Sequence, residues 1–534
     1  MSQKRILSGD EAVAYAALAA SVRLGAGYPG TPSTEILETF SKIGGAAEWA
    51  AEWAPNEKVA LEVGIGVSFG GARSIVTMKH VGLNVAADPL FTLTYTGVNG
   101  GLVIVSADDP GLASSQNEQD NRNYAKAAKM PMLEPSDSQE AYDFTIKAFE
   151  LSEKFDTPVL LRMTTRVCHS QTVVHLHGEA NPFVQKPYVK NIQKNVMVPA
   201  FAKKAHVRLE NTMKELAACA ETSGFEQVKP GSKELGVICS GISYQHVCEA
   251  APDASVLKLG LTWPLPMKKI AEFANSVKRC VVIEEGDRFL ADAISAAGIK
   301  VEPKDDSLLF GELNVNRVKK QLDRNFTPDP APVPGRPPQL CPGCPHRKSF
   351  ETLRDLGCIV AGDIGCYTLG TLPPFSAIDM CVCMGASIGL GLGLRRSLPE
   401  EQARKVVSVI GDSTFLHSGL TGIVEMAYNR PKTGHVVIIL DNSTTAMTGL
   451  QENPATGHLL NMDPAIPVNL EAVCRACGVN NVDIVDTTKE TERFKNLVQE
   501  RLASNDISVI IAKRPCVLQM KKMAKFAKKN GGAK

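Results

Sequence analysis

The stretch VVSVIGDSTFLHSGL (406–420), followed by HVVIILDNSTTAMTG (435–449), decides the fold. Each half opens on a short run of Val and Ile and closes on small polar residues, Gly411-Asp412-Ser413 in the first and Asp441-Asn442 in the second. Apolar runs without alternation suit strands buried on both faces, as in parallel sheets covered by helices. Such sheets bind ligands beyond the carboxyl ends of their strands, which is where both polar motifs fall. Asp412 offers a carboxylate, Asn442 an amide oxygen, and a backbone carbonyl near Thr444 a third oxygen. An all-oxygen set of this kind suits Mg²⁺, which keeps water and takes further ligands from phosphate. Gly411 is expected to let the backbone approach a diphosphate closely, with Ser413 beside it and Thr448-Gly449 downstream.

Working outward, similar runs occur at 101–108, 157–163, 235–241, 405–411, 435–442 and 506–513, separated by helical patterns. The expected class is α/β, with three doubly wound units. The proline-rich NFTPDPAPVPGRPPQL (325–340) resists regular structure and reads as a linker. The proposed division is 1–185, a connecting segment 186–232, 233–324, the linker 325–340, 341–520, and a basic tail 521–534 with Lys521, Lys522, Lys525, Lys528 and Lys529. The tail reads as a solvated end or as a contact for an acidic partner. The 534 residues exceed one ordinary core. With 44% hydrophobic and 22% charged residues, the composition is globular, and a formal charge of +1 gives no field to attract nucleic acid or membrane. The start lacks a secretory pattern and no run is long enough to span a bilayer, so a cytoplasmic protein is expected.

The GDS and DN motifs, at their spacing and on two strands, resemble the thiamine diphosphate signature. That cofactor needs a second half-site, a carboxyl group that shares the proton of its aminopyrimidine ring nitrogen. The stretch NEKVALEVGIGVSFGG (56–71) supplies Glu57 at the head of a small-residue helix, with Glu62 as the competing candidate. A glutamate at a helix start is otherwise a cap or a solvated charge.

Several further segments carry a resemblance to the large subunits of the 2-oxoacid:ferredoxin oxidoreductases, in their indolepyruvate branch. They are GYPGTPSTEI (27–36), NEKVALE (56–62), TMKHVGLNVAADPL (77–90), ADDPGLASSQNEQDNR (107–122), CPGCPHR (341–347), GDIGCYTLG (362–370), CMGASIGLGLG (383–393) and GDSTFLHSG (411–419). The resemblance implies a pyrimidine-binding domain, a transketolase C-terminal-like domain over 233–324 and a diphosphate-binding domain. It implies oxidative decarboxylation of a 2-oxoacid, with electrons leaving through iron–sulfur clusters and the acyl group leaving on coenzyme A. On this chain it implies Glu57 as the pyrimidine-activating carboxylate and Asp412, Asn442 and the Thr444 carbonyl on Mg²⁺. It places Thr31 near the 2-oxoacid, Gly365, Met384 and Gly385 along the cofactor, and His80 and His417 facing the reaction centre. Relatives often carry an arginine in the loop that here reads SSQNEQ. The nearest matches are Gln116 and Asn117, which lack the bidentate grip of arginine on a carboxylate, so the substrate carboxylate is left without an assigned partner.

The same resemblance gives a role to Cys341 and Cys344 in CPGC, Cys366 in GDIGC and Cys516 in KRPC. Four thiolates suit a [4Fe–4S] cluster. The alternative is that they are buried residues kept for folding. Cys474 and Cys477 read as core, and Cys381 and Cys383 as packing. Large subunits of this branch continue into a bacterial-type ferredoxin domain, whereas this sequence ends at AKKNGGAK. The reading therefore expects ferredoxin or another separate carrier to take the electrons, with the basic tail as a docking contact. It also expects a small beta subunit, within an α2β2 assembly built on a dimer of this chain. Competing readings are a non-oxidative decarboxylase and a thiamine-binding subunit without turnover.

Overall fold

The computed structural model describes residues 3–44, 50–178, 187–330, 335 and 337–531. It divides into two compact units, Met1–Ala331 and Pro332–Lys534, whose boundary falls inside the proline-rich linker.

The first unit carries a seven-stranded sheet in the order Leu261–Trp263, Met132–Leu133, Val159–Thr164, Leu102–Asp108, Ser74–Lys79, Leu24–Gly27, Ala50–Trp53. All neighbours are parallel except the first pair. Leu102–Asp108 is buried at every position, as its unbroken apolar run requires. Helices Gly9–Ala19 and Ser138–Phe155 pack in one core, around Phe40, Phe149 and Leu161. Helices Glu57–Phe69 and Ala87–Thr96 pack in the other, around Leu61, Met78 and Leu93. A capping box at Ser8 and Glu11 starts the first helix, and Asn56 caps the helix that begins at Glu57.

A second sheet in this unit runs Arg279–Ile283, Ser232–Ser240, Ala254–Leu259, Gln227–Lys229. Its Ile238, Leu257 and Val282 share a core with Met78 and Leu93 of the first. The two sheets are also stitched by chain, because Leu261–Trp263 follows directly from the second sheet and pairs with Met132–Leu133. The fully buried Arg122 completes the join. It meets Asp120 beside it, Glu284 Oε2 at 2.8 Å, and the carbonyls of Glu285 and Asp287.

Segment 186–232, read from sequence as a connection, is more ordered than that where it is described. It holds the helix Pro199–Ala220 and the edge strand Gln227–Lys229. Leu209 and Leu216 of this helix are buried, at the spacing that gives a helix one apolar stripe.

The second unit is a five-stranded parallel sheet, Ile359–Ala361, Val406–Gly411, His435–Asp441, Ile507–Lys513, Asn481–Val485. One core takes Ile388, Leu392, Ile423 and Met426 from helices Ala386–Ser397 and Leu420–Tyr428. The other takes Phe350, Leu353, Phe494 and Val498 from helices His346–Asp355 and Thr491–Ala503. The basic tail is not a loose end as far as it is described, because Val517–Gly531 is a helix. Gln519 is buried, and Lys522 Nζ donates to the Leu450 carbonyl at 2.6 Å, while Lys521, Lys525 and Lys528 face solvent. Lys529 has no described side chain. No helix among the described residues is long and apolar enough to cross a membrane.

Candidate active site

In the second unit, strands Val406–Gly411 and His435–Asp441 are neighbours, with Gly411 paired to Leu440. Their ends bring Asp412 and Asn442 to one edge of the sheet, and both are buried. Asp412 Oδ2 accepts from Asn453 Nδ2 at 3.2 Å. Burial, and then the nearby Asp441 carboxylate, push the Asp412 carboxyl up to about 7. A dication beside it would restore its charge, so the donor set fits Mg²⁺.

Asn442 is oriented on both sides. Its Nδ2 lies 3.2 Å from His346 Nε2, and its Oδ1 accepts from the Thr444 N–H at 3.2 Å. Burial pushes His346 down to about 4, so the imidazole is neutral and Nε2 accepts. One lone pair of Oδ1 remains for a metal. The loop that follows folds back on itself. Thr444 Oγ1 donates to the Gln451 carbonyl, Thr445 Oγ1 to Ser413 Oγ, and Thr448 Oγ1 to Gln451 Oε1. Gly449 sits at φ +125° within that turn.

Three glycines of this site are demanded by their neighbours. A Cβ on Gly411 would stand 2.6 Å from the ring of Tyr367, and one on Gly365 would stand 2.4 Å from it. Gly411 thus makes room for a buried aromatic ring. Gly385 lies at φ +86°, and a Cβ there would meet Ser418 Cβ at 2.4 Å, so both conformation and space demand glycine. Asp363 fixes this corner by accepting from the N–H groups of Gly385 at 2.8 Å and Ser387 at 3.0 Å. Met384, next to it, is half-buried. His417 is buried in the π-helical turn Phe415–Gly419, with Nδ1 2.6 Å from Ser418 Oγ.

Cys341, Cys344, Cys366 and Cys516 come together in this unit. Burial, followed by the charges of Cys366, Cys341 and Cys516, pushes the Cys344 thiol up to about 12. Burial, then Cys516 and Cys341, push Cys366 up to about 11. Two thiols held protonated by burial and by their neighbouring sulfurs fit a site whose cationic occupant removes their protons. Among the described residues no three of their sulfurs lie within 4.8 Å of one another. The Cys516 N–H donates to the Asn442 carbonyl at 2.9 Å, which ties this group of thiols to the metal motif. Cys474 is core as expected, but Cys383 is exposed and does not pack.

The first unit holds the other predicted residues. Glu57 is buried at the head of its helix, and a Cβ on Gly82 would meet its Cγ and Oε1 at 2.6 Å, so Gly82 forms a cradle for this carboxylate. Glu62 instead pairs with Lys58 at 2.6 Å on the exposed face of the helix. His80 is buried, with Nε2 3.2 Å from the Asn117 carbonyl and Nδ1 without a partner. Burial pushes its pKa down, leaving a neutral ring with one bare nitrogen. Thr31 lies half-buried in its turn, and Gln116 and Asn117 are exposed on their loop. That loop is pinned by Asn121, whose Nδ2 donates to the His80 carbonyl at 3.0 Å.

Reasoning from sequence missed His346, Tyr367 and Asp363. Each adjoins a motif already singled out, yet each acts on a residue far along the chain, and only the folded sheet brings those partners together.

Residues 15–228 match the family model described as pyruvate flavodoxin/ferredoxin oxidoreductase, thiamine diphosphate-binding. Residues 363–512 match the C-terminal thiamine pyrophosphate-binding domain of thiamine pyrophosphate enzymes. The fold is that of a thiamine diphosphate-binding oxidoreductase subunit. The indolepyruvate oxidoreductase subunit IorA of Archaeoglobus fulgidus is 38% identical, over 97% of this chain and 87% of that protein. The IorA of Methanothermobacter marburgensis is 40% identical, over 96% and 87%. The chain belongs to this family, indolepyruvate oxidoreductase subunit IorA, among the 2-oxoacid:ferredoxin oxidoreductases. The fold is also that of a 2-oxoglutarate:ferredoxin oxidoreductase from Magnetococcus marinus, at TM-score 0.52 and 17% identity over 61% of this chain and 66% of that one.

Proposed function

We propose that the chain is the large subunit of an enzyme that oxidatively decarboxylates an aryl 2-oxoacid of the indolepyruvate type, giving the aryl-acetyl-CoA and CO2. The observation that carries this reading is the convergence of Cys341, Cys344, Cys366 and Cys516 beside the Asp412 and Asn442 motif. Thiamine diphosphate, when bound, supplies the carbanion stabilisation that loss of CO2 from a 2-oxoacid needs. Glu57, in its cradle against Gly82, would share the ring-nitrogen proton of the aminopyrimidine. Asp412, the Asn442 amide oxygen and the Thr444 carbonyl would hold Mg²⁺ against the diphosphate, with Gly385 and Met384 alongside. Thr31, His80 and His417 would face the substrate, and the bare Nδ1 of His80 suits proton transfer. The four thiolates would hold a [4Fe–4S] cluster, which supplies one-electron transfer toward ferredoxin or another carrier. Coenzyme A as acyl acceptor is supported by the Magnetococcus marinus enzyme, whose structure has coenzyme A and succinyl-CoA bound. The relatives are named as subunits, which supports a partner subunit for this chain.

The test is iron and acid-labile sulfide on protein purified without oxygen, with its partner subunit, followed by product analysis after adding an aryl pyruvate. About four irons per chain, bleached by substrate, with an acyl-CoA product, is the expected result. Iron-free protein that releases an aldehyde would overturn the oxidative reading in favour of a simple decarboxylase.

A further inference from the structure

Away from the residues just described, one carboxylate is wholly buried. Asp10, the second residue of helix Gly9–Ala19, is fully inaccessible to solvent, and neither of its oxygens has a hydrogen bond of normal geometry, its polar neighbours being the Cys168 thiol and the Glu35 carboxyl. A carboxylate taken out of water needs a donor or a cation. Among the described residues, Asp10, Glu35 and His169 are the one set of three carboxylate or imidazole ligand atoms that all lie within 4.8 Å of one another. Glu35 is the second residue of helix Thr34–Gly44, and His169 is the last of the short helix Thr165–His169. Two carboxylates at this distance repel each other unless a positive charge lies between them.

We infer that Asp10, Glu35 and His169 form a binding site for a divalent metal ion of the zinc type. The ligand chemistry sets the class. One imidazole nitrogen and two carboxylates suit Zn²⁺ and its late first-row neighbours, whereas Ca²⁺ takes six to eight oxygens and Mg²⁺ usually keeps several waters. Glu35 and His169 are exposed while Asp10 is not, so the site has an open side for the ion to enter and for water to complete its coordination. Cys168 lies close behind Asp10 and is buried, with its thiol held protonated by burial and by the Asp10 charge, so it closes the inner side without adding a thiolate. The ion would join three segments far apart in sequence at the carboxyl-end edge of the first sheet. One of them begins three residues after Thr31. The inference does not depend on the thiamine reading.

The test uses full-length, tag-free protein and Zn²⁺ alone. Calorimetric titration and metal content after dialysis are compared for wild type, Asp10→Asn, Glu35→Gln and His169→Gln. Wild type is expected to hold one equivalent of Zn²⁺ that all three variants lose or bind at least roughly tenfold more weakly. Zinc taken up by the cysteines is common to all four proteins and cancels. His169 is exposed, so His169→Gln keeps the fold, and Zn²⁺ should raise the unfolding temperature of wild type but not of this variant. Equal Zn²⁺ content in all four proteins overturns the proposal. A more stable Asp10→Asn with unchanged Zn²⁺ content also overturns it, and identifies Asp10 as a buried acid that shares a proton with Glu35.

Discussion

His346 Nε2 and Asn442 Nδ2 face each other at 3.2 Å, so the CPGCPHR segment sets the orientation of the amide at the end of the neighbouring strand. His346→Phe would keep an aromatic ring against Tyr367 but remove the acceptor. The expected result is a roughly 10–100-fold loss of affinity for Mg²⁺ with thiamine diphosphate, the usual range for partners that orient a metal ligand. Isothermal titration against wild type, with circular dichroism to check folding, measures it. Unchanged affinity would remove His346 from this role.

Glu57 and Gly82 form a second such pair. Glu57→Gln should lower turnover of an aryl 2-oxoacid by about 10²–10⁴-fold, while Glu62→Gln, on the exposed face, should leave it near wild type. Gly82→Ala would press a methyl group against the Glu57 carboxylate and should lower activity with Glu57 still present. Reduction of an artificial electron acceptor reports all three. If Gly82→Ala is fully active, the cradle does not position the carboxylate.

His435 predicts a pH dependence. Ser408 Oγ gives its proton to the Ser387 carbonyl at 2.7 Å, so His435 Nε2–H closes the 2.8 Å contact with Ser408. Its Nδ1 is then bare, buried and without a partner. Burial, helped by the Arg395 charge, pushes the imidazole down to about 3, against 6.5 for a free histidine. Below pH 6.5 the unfolded chain binds a proton that the folded chain refuses until about pH 3. Stability should therefore fall as pH drops through that window, by up to ~1.4 kcal/mol per unit from this residue, and lose nothing from it above pH 6.5. Urea midpoints for wild type and His435→Gln between pH 4 and 8 should converge toward acid. Parallel curves would refute the assignment.

Arg122→Met should destabilise the first unit by about 3–5 kcal/mol, because Asp120 and Glu284 would be left buried without their cation. Denaturant unfolding measures this. A loss below about 1 kcal/mol would mean that the carboxylates find other partners.

Much of this architecture was legible from local pattern. Runs such as HVVIILDN are apolar on both faces and permit only a covered parallel strand. The meeting of Asp412 and Asn442 at one sheet edge was legible because both sit at strand ends. The Glu57 and Glu62 alternatives were not separable in sequence, since one turn of helix sets them on different faces and only Gly82, twenty-five residues on, marks the buried one. That Gly411 also accommodates a ring was not legible, because the ring belongs to Tyr367 in another segment. The order in 186–232 was hidden by charge. Helix Pro199–Ala220 is polar on most of its surface and shows its buried stripe only at Ala205, Leu209, Thr212, Leu216 and Ala220.

The buried Arg122 binds the history of the two sheets together. Its counter-charges come from residue 120 on one side and residue 284 on the other. A segment spanning 233–324 therefore cannot be exchanged for a relative's copy as an independent module. A graft that arrives without an acid at 284 leaves the buried guanidinium one counter-charge, Asp120, in place of two, and one that arrives with a shifted strand misplaces the second. Recombination between members of this family should tolerate crossovers in the proline-rich linker, where the compact units divide, and reject those that separate Arg122 from Glu284.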